Sequence, residues 1–469
     1  MTQIADKPAQ MGLTSQILFI LCSVLIIDTL TAAAALGTGV IGWWLVTLLF
    51  FVIPYALISA ELGTSYPSEG GIYSWVKQAF GLKMAARTTW LYWVNVGLWM
   101  PAVYIMFAGM LAELFFPELT LGWRVAICIV LIWLTIYFCN VSVDVGVWVS
   151  KVGALLKMAV IMTLGCAGFI YAIQHGMANQ LTLHSMLPSL DGGVEFLPAI
   201  IYNLLGLELI VCLGKSIKAP ARNIPRAMLG ASIIIAALYL FGTLGILAAL
   251  PAEKIGLIAG LIDAARTLFT NLPRANELVT LLGICILLTF ISNMVNWTMG
   301  SSRAAAEAAE AGELPAFVAW RHARHGSPLG ANICTGIIAT LVIIAYAVLA
   351  RTNDELFWSV FAFSSTIFLL PYLLLFASFL RLRYKDPATP RLFRVKGNRL
   401  LIIMQAAIGM LFIFSALLLF IFPQLIALTI DWHKSAPLLA GLLITLLLGE
   451  IIVRHSLSRQ SMPEQLATE

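Results

Sequence analysis

Glu208 stands in the run Tyr202-Asn203-Leu204-Leu205-Gly206-Leu207-Glu208, a carboxylate two residues past a glycine with apolar neighbours on both sides. A second acid interrupts another apolar run, Ile26-Ile27-Asp28-Thr29-Leu30-Thr31, and a lysine sits in a third, Gly153-Ala154-Leu155-Leu156-Lys157-Met158. A fourth run carries Asn293, Asn296 and Trp297, two amides and an indole at neighbouring helical positions. Charges at membrane depth are costly, so they face a bundle interior, a water-filled cavity or a partner charge. The chemistry on offer is charge recognition and proton binding. No catalytic residue is called, because the chain has neither a histidine-rich constellation nor a nucleophile elbow. Each position also has a plainer reading. Glu208 could be protonated and only bond a neighbouring helix, Asp28 could be satisfied by Thr31 or an adjacent helix, and Lys157 could snorkel to an interface.

The elements that hold these residues follow from composition. Hydrophobic residues make up 61% of the chain and charged residues 11%, against roughly 45–50% and 25% in soluble domains. Apolar runs of about twenty residues or more fit membrane helices, whereas a membrane barrel alternates polarity over about ten residues. The expected fold class is therefore an all-α membrane protein with twelve transmembrane spans near 14–36, 42–63, 88–114, 123–139, 146–173, 196–213, 228–250, 277–301, 330–350, 355–379, 400–423 and 435–453. An even number leaves both termini on one side. With that side cytoplasmic, most of the 28 Lys and Arg residues lie inside, and only Arg124, Lys254, Arg266, Arg274, Arg351 and Lys434 fall outside. The polar interruptions of spans one and six, five helices apart, suggest a five-plus-five inverted repeat whose broken helices meet at the midplane. This divides the chain into a cytoplasmic N-terminal segment (1–13), a first repeat (14–173), a second repeat (196–379), two added spans (400–453) and a cytoplasmic tail (454–469).

The connections carry weaker signals. Tyr66-Pro67 and Gly70-Gly71 after span two read as a cytoplasmic hinge or simply a turn. The segment from Pro251 to Arg274 has apolar residues at helical spacing, which suits an interfacial helix over the outer mouth or a helix packed on the core. Span eight is expected to run into a separate short helix from Ala304 to Ala311. The seven cysteines are scattered and the six histidines lie in or beside loops, so neither a disulfide framework nor a metal site is expected, and no cofactor. Nucleic acid is not an implied partner. A transporter, a membrane enzyme, a channel and a sensor remain the classes to separate.

Three motifs carry a resemblance to the amino acid, polyamine and organocation permeases over nearly the whole chain. They are Glu61-Leu62-Gly63 with Gly70-Gly71-x-Tyr73; Gly206-x-Glu208 followed by Lys218-x-Pro220-x-Arg222-Asn223-x-Pro225; and Ser302-Arg303 leading to Gly312-x-Leu314-Pro315 and Gly326-x-Pro328. The resemblance implies a two-times-five (LeuT-like) inverted repeat in the cell (inner) membrane. It also implies an amino acid or amine bound between broken spans one and six, and either a proton or a counter-substrate as the coupled partner. It makes Asp28, Thr29, Thr31, Asn203, Gly206, Asn293 and Trp297 the substrate-site candidates, and Glu208 and Lys157 the gating or proton-coupling candidates. Around spans six and eight the chain is similar to arginine:agmatine exchangers, which keep a stacking tryptophan at the spacing of Trp297 from Gly312. Two departures stand out. Asp28-Thr29-Leu30 replaces the usual Gly-Ser-Gly break of span one, and Gly214-Lys215 replaces an acidic pair after span six. A carboxylate at each break favours a cationic cargo, since bare amides and helix N-termini attract carboxylates instead.

Overall fold

The computed structural model describes residues 11–466 except positions 28, 69, 142, 191–195 and 350–352. Among these residues the chain is helical, and its one β feature is an isolated bridge pairing Met11 with Ile217. The first half comprises α1 (Leu13–Val24), α2 (Leu30–Ala34), α3 (Val40–Thr47), α4 (Ile53–Ser65), α5 (Ile72–Phe80), α6 (Leu82–Phe115), α7 (Leu121–Val141) and α8 (Val143–His175). The second comprises α9 (Leu197–Tyr202), a 3₁₀ segment (Leu207–Ser216), α10 (Pro220–Ala249), α11 (Gly260–Phe269), α12 (Ala275–Glu310), α13 (Leu329–Leu349), α14 (Asn353–Lys385), α15 (Arg399–Ile421) and α16 (Trp432–Leu466). Among the described residues nine helices are long and apolar enough to cross a membrane, and Leu13–Val24, Leu197–Cys212 and Leu329–Ala345 are shorter apolar helices. Helices α6 and α14 are the most enclosed and pack along each other, while α16 lies at the periphery.

The first and sixth apolar runs are interrupted. Helix α1 stops at Val24 and helical structure resumes at Leu30, while α9 stops at Tyr202 and a tighter 3₁₀ winding begins at Leu207. The second run is continuous from Gly37 to Ser65 but passes through a π-helical turn at Leu48–Val52. Pro54 follows that turn. Its ring and missing N–H cannot be accommodated by a regular ladder to the preceding turn, and a π-bulge relieves the conflict.

One local expectation changes and two open readings narrow. The alanine-rich stretch after span eight is no separate helix, because α12 runs unbroken to Glu310. Alanine is the strongest helix former and no breaker intervenes before Gly312. There Gly312 takes φ +71, and Gly312 N–H bonds Ala309 O while Glu313 N–H bonds Ala308 O, both at 2.9 Å. This is a Schellman C-cap. The Gly70-Gly71 turn, with Gly71 at φ +52, launches α5, a helix the sequence pattern does not reveal. In the 251–274 segment α11 buries Leu261, Ile262, Leu268 and Phe269, which decides for packing on the core.

Candidate functional site at the two helix breaks

A helix that stops inside an apolar bundle leaves its last four carbonyls without intrahelical partners, and each costs several kcal/mol in hydrocarbon unless something donates to it. At the end of α1 all four are met. Leu21 O accepts from Leu25 N–H at 2.9 Å. Cys22 O accepts from the Lys157 ammonium at 2.5 Å, Ser23 O from the Trp297 indole N–H at 2.8 Å and Val24 O from the Tyr239 hydroxyl at 2.8 Å. A cation at a helix C-terminus also complements the helix dipole. The first break is thus capped by side chains from α8, α12 and α10.

The second break is tied to the first. Thr29 Oγ1 donates to Asn203 Oδ1, and the Tyr239 hydroxyl lies 3.2 Å from Asn203 O while accepting from Ile26 N–H at 2.7 Å. Gly206 holds φ +106, and a Cβ there would come within 2.8 Å of the Trp297 ring. Only glycine fits, both by conformation and by space. The Trp297 side chain therefore spans both breaks, with its N–H on Ser23 and its ring against Gly206.

Glu208 opens the 3₁₀ segment and is fully buried. Its Oε1 accepts from the hydroxyls of Tyr92 (2.9 Å) and Tyr372 (2.8 Å), and its Oε2 from that of Tyr55. Tyr55 in turn accepts from Gly206 N–H at 3.2 Å. Three helices, α4, α6 and α14, are thereby tied to one carboxylate, and any movement of the second break must part some of these bonds.

Lys157 is 1% exposed. Besides Cys22 O, its ammonium reaches Asn293 Oδ1 at 2.9 Å, so it lies inside the bundle and not at an interface. Next along α12, Asn296 donates to Ser23 Oγ at 2.7 Å and accepts from Ser150 at 2.9 Å. The polar positions of α12 thus hold α1 and α8. Thr31 donates to Leu257 O at 2.7 Å, away from the breaks. Asp28 lies outside the described residues.

Against the breaks lies a closed circuit of four aromatic rings. Trp99 meets Tyr202 at 6.0 Å, Tyr202 meets Phe368 at 5.6 Å, Phe368 meets Trp297 at 5.2 Å and Trp297 meets Trp99 at 5.8 Å between centroids. The interplanar angles of 68°, 62°, 79° and 85° are edge-to-face. Such packing sets the electropositive rim of one ring against the electronegative face of the next. Tyr55, Tyr92, Tyr239, Phe368 and Tyr372 were not singled out by the sequence. The one signal for the four tyrosines is that a tyrosine in an apolar span needs a hydroxyl partner, and Phe368 carries none.

Glu61 of the first motif lies at the end of the bundle where α4 and α14 finish. Buried Glu61 accepts from Arg383, from Arg391 at 3.1 Å and from Val395 N–H at 2.7 Å. Nearby, Tyr66 donates to Asp386 Oδ2 at 2.9 Å and Thr389 Oγ1 donates to it at 2.6 Å. Glu313 accepts from Tyr73 (2.5 Å) and Lys77 (2.8 Å), and burial still raises its carboxyl above the ordinary range. Among the described residues no group of three or more His, Cys, Asp or Glu could hold a metal ion.

Residues 11–446 match the family described as amino acid permease. The chain belongs to the amino acid permease family. The permease is 34% identical over 455 residues to the probable agmatine/putrescine antiporter of Lactococcus lactis subsp. lactis, covering 96% of each chain. It is 29% identical to an uncharacterized transporter of Legionella pneumophila, over 89% of this chain and 90% of that one. With the glutamate/gamma-aminobutyrate antiporter of L. lactis it shares 24% identity over 86% of its own length and 82% of the relative's. Membership of a permease family makes it a multi-pass membrane transporter and not an enzyme.

Proposed function

We propose that this permease carries small organic amines, with a protonated amine or guanidinium as the recognised group, and works by exchange or proton-coupled uptake. The observation that carries the reading is the four-ring circuit closed against two helix breaks with a buried carboxylate beside it. Each edge-to-face contact holds a partial positive charge on a ring face, the place a cargo ammonium would take for about 0.5–2 kcal/mol. The relative at 34% identity, named as a probable agmatine/putrescine antiporter, supports the same cargo class.

In this reading Trp297, Asn203, Gly206 and Thr29 form the cargo site, and Asp28 enters from its sequence position. Thr31 and Asn293 act as supports, since their side chains are bonded to Leu257 and Lys157. Glu208 with its three tyrosines is the gate: transport requires α4, α6 and α14 to separate from the second break and rejoin it, and a proton on Glu208 weakens its acceptor role. Lys157 fixes the end of α1 through the cycle. The nine long and three short apolar helices support twelve spans, and the breaks in the first and sixth support a five-plus-five inverted repeat. The distribution of basic residues supports both termini in the cytoplasm and residence in the inner membrane.

Counterflow in proteoliposomes tests the proposal. Vesicles preloaded with unlabelled putrescine or agmatine should accumulate the labelled amine transiently, and preloading with glutamate should not support it. Counterflow with glutamate or gamma-aminobutyrate and none with either amine would overturn the amine assignment.

A further inference from the structure

The connection between α14 and α15 carries more positive charge than the fold uses. Seven of the residues from Arg381 to Arg399 are Lys or Arg, and Asp386 is the one acid among them. Arg383 and Arg391 are buried on Glu61. The other five, Arg381, Lys385, Arg394, Lys396 and Arg399, are exposed and meet no carboxylate among the described residues. Two of these guanidinium groups rest on rings instead, Arg381 at 4.8 Å from the Phe80 centroid and Arg399 at 5.2 Å from that of Tyr384. A ring face holds a cation in place and leaves its N–H edge for an anion.

The connection is a strap with two faces. Its inner face is pinned: Glu61 accepts from Arg383, Arg391 and Val395 N–H, and Arg391 also donates to Leu382 O at 2.9 Å and Asp386 O at 3.1 Å. Val395 is buried while Arg394 and Lys396 on either side of it are exposed, as neighbours on an extended backbone point to opposite sides. The outward cations are thus held close together, and their mutual repulsion works against the compact strap until an anion meets them. The place of this face decides which anion that is. Asn398 caps α15, whose apolar span runs from Arg399 to Ile421, so Arg394, Lys396 and Arg399 stand where the chain enters the bilayer. Leu392, Leu400 and Leu401 are exposed beside them. Apolar side chains among cations suit a lipid headgroup layer and not a soluble polyanion.

We propose that the 381–399 strap is a docking surface for anionic phospholipid headgroups, with the lipid phosphate as the recognised group, and that lipid seated there holds the strap on Glu61. Clusters of basic residues beside a membrane span bind acidic lipids, with about a fivefold gain in affinity for each cation near the surface. Glu61 follows Tyr55, one of the donors to Glu208, on the same helix α4. The lipid surface and the proposed gate therefore share an element, and lipid charge should bear on transport. That consequence rests on the gate reading; the lipid surface does not.

The test titrates phosphatidylglycerol, and separately phosphatidylcholine, into the purified full-length permease in neutral detergent, with bound lipid counted by native mass spectrometry. Wild type should bind phosphatidylglycerol in preference. Arg394→Gln/Lys396→Gln/Arg399→Gln should raise its half-saturation concentration about a hundredfold, at about fivefold per cation. Lys385→Gln/Lys396→Gln touches no ring or helix end, and its expected shift of about twentyfold keeps the test decisive if the triple variant does not fold. Lys254→Gln/Arg274→Gln removes two exposed cations from other connections and should leave the wild-type value unchanged. Equal binding of both lipids by wild type, or wild-type affinity in the strap variants, would overturn the surface. Complete displacement of phosphatidylglycerol by inorganic phosphate would assign the strap to soluble phosphate and overturn the lipid as its occupant. Amine counterflow in phosphatidylcholine vesicles should rise when phosphatidylglycerol is added for wild type, and not for the triple variant. Lipid binding without that rise would overturn the hold on Glu61. Absence of counterflow in every vesicle counts against the amine reading, and the lipid count, which needs no cargo, still decides the surface.

Discussion

Tyr372→Phe deletes one hydroxyl and leaves its ring contacts, which makes it a sharp probe of the Glu208 junction. In the structure Glu208 Oε1 receives two donors, Tyr372 at 2.8 Å and Tyr92 at 2.9 Å, and its carboxylate is fully buried. A hydrogen bond to a charged group contributes about 1.5–3 kcal/mol, and one between neutral groups about 0.5–1.5 kcal/mol. Tyr372→Phe should therefore destabilise the closed junction by about 1.5–3 kcal/mol. The double variant Tyr92→Phe/Tyr372→Phe should lose more than the sum of the two, because Oε1 is then left with no donor. In a Glu208→Gln background the same tyrosine deletions should cost about half as much, since the acceptor is neutral. The assay is a double-mutant cycle on purified protein, unfolded in a reversible detergent titration, with amine counterflow measured across pH in parallel. Glu208→Gln should flatten the pH profile of transport. Additivity of Tyr372→Phe and Glu208→Gln within about 0.5 kcal/mol, the range for independent sites, would refute the shared junction, and an unchanged pH profile would remove Glu208 from coupling.

Further expectations follow from the same contacts. Lys157→Met should leave Cys22 O and Asn293 Oδ1 unpaired, lowering stability by about 1–3 kcal/mol per acceptor and slowing exchange; normal turnover and normal melting would show that the ammonium is dispensable. Gly206→Ala should abolish transport in protein that still reaches the membrane, because φ +106 and a 2.8 Å approach to Trp297 both exclude a Cβ; wild-type uptake would contradict that packing. Hydrogen bonds from the Thr389 hydroxyl, and next from Tyr66, hold the Asp386 carboxyl below its usual range. A lowered native value contributes stability that is complete above the ordinary carboxylate range and is lost as pH falls through the lowered value. Thr389→Ala should therefore melt earlier than wild type at neutral pH and converge with it as pH falls below the lowered value of the Asp386 carboxyl. A gap that stays constant with pH would exclude this linkage.

Sequence alone was enough to place the chain in a membrane as a helical bundle, because apolar length and charge exclusion are properties of the chain and its solvent, independent of packing. It also located both interruptions, since Asn203, Gly206 and Glu208 are conspicuous in an apolar run and Gly206 allows the positive φ that the second break adopts. The partners of those residues were not legible. Tyr55, Tyr92 and Tyr372 lie far apart in sequence and look like ordinary span residues, yet they converge on one carboxylate. Lys157 was open between a snorkelling surface role and a buried one until the fold placed its ammonium on the end of α1. Trp297 and Asn293, both candidates for the cargo site by their place in span eight, meet different partners in the fold: the Trp297 ring spans both breaks, and the Asn293 amide accepts from Lys157. Local propensity sets where a helix stops, but the donors that meet its stranded carbonyls come from other helices, and only three-dimensional packing assigns them.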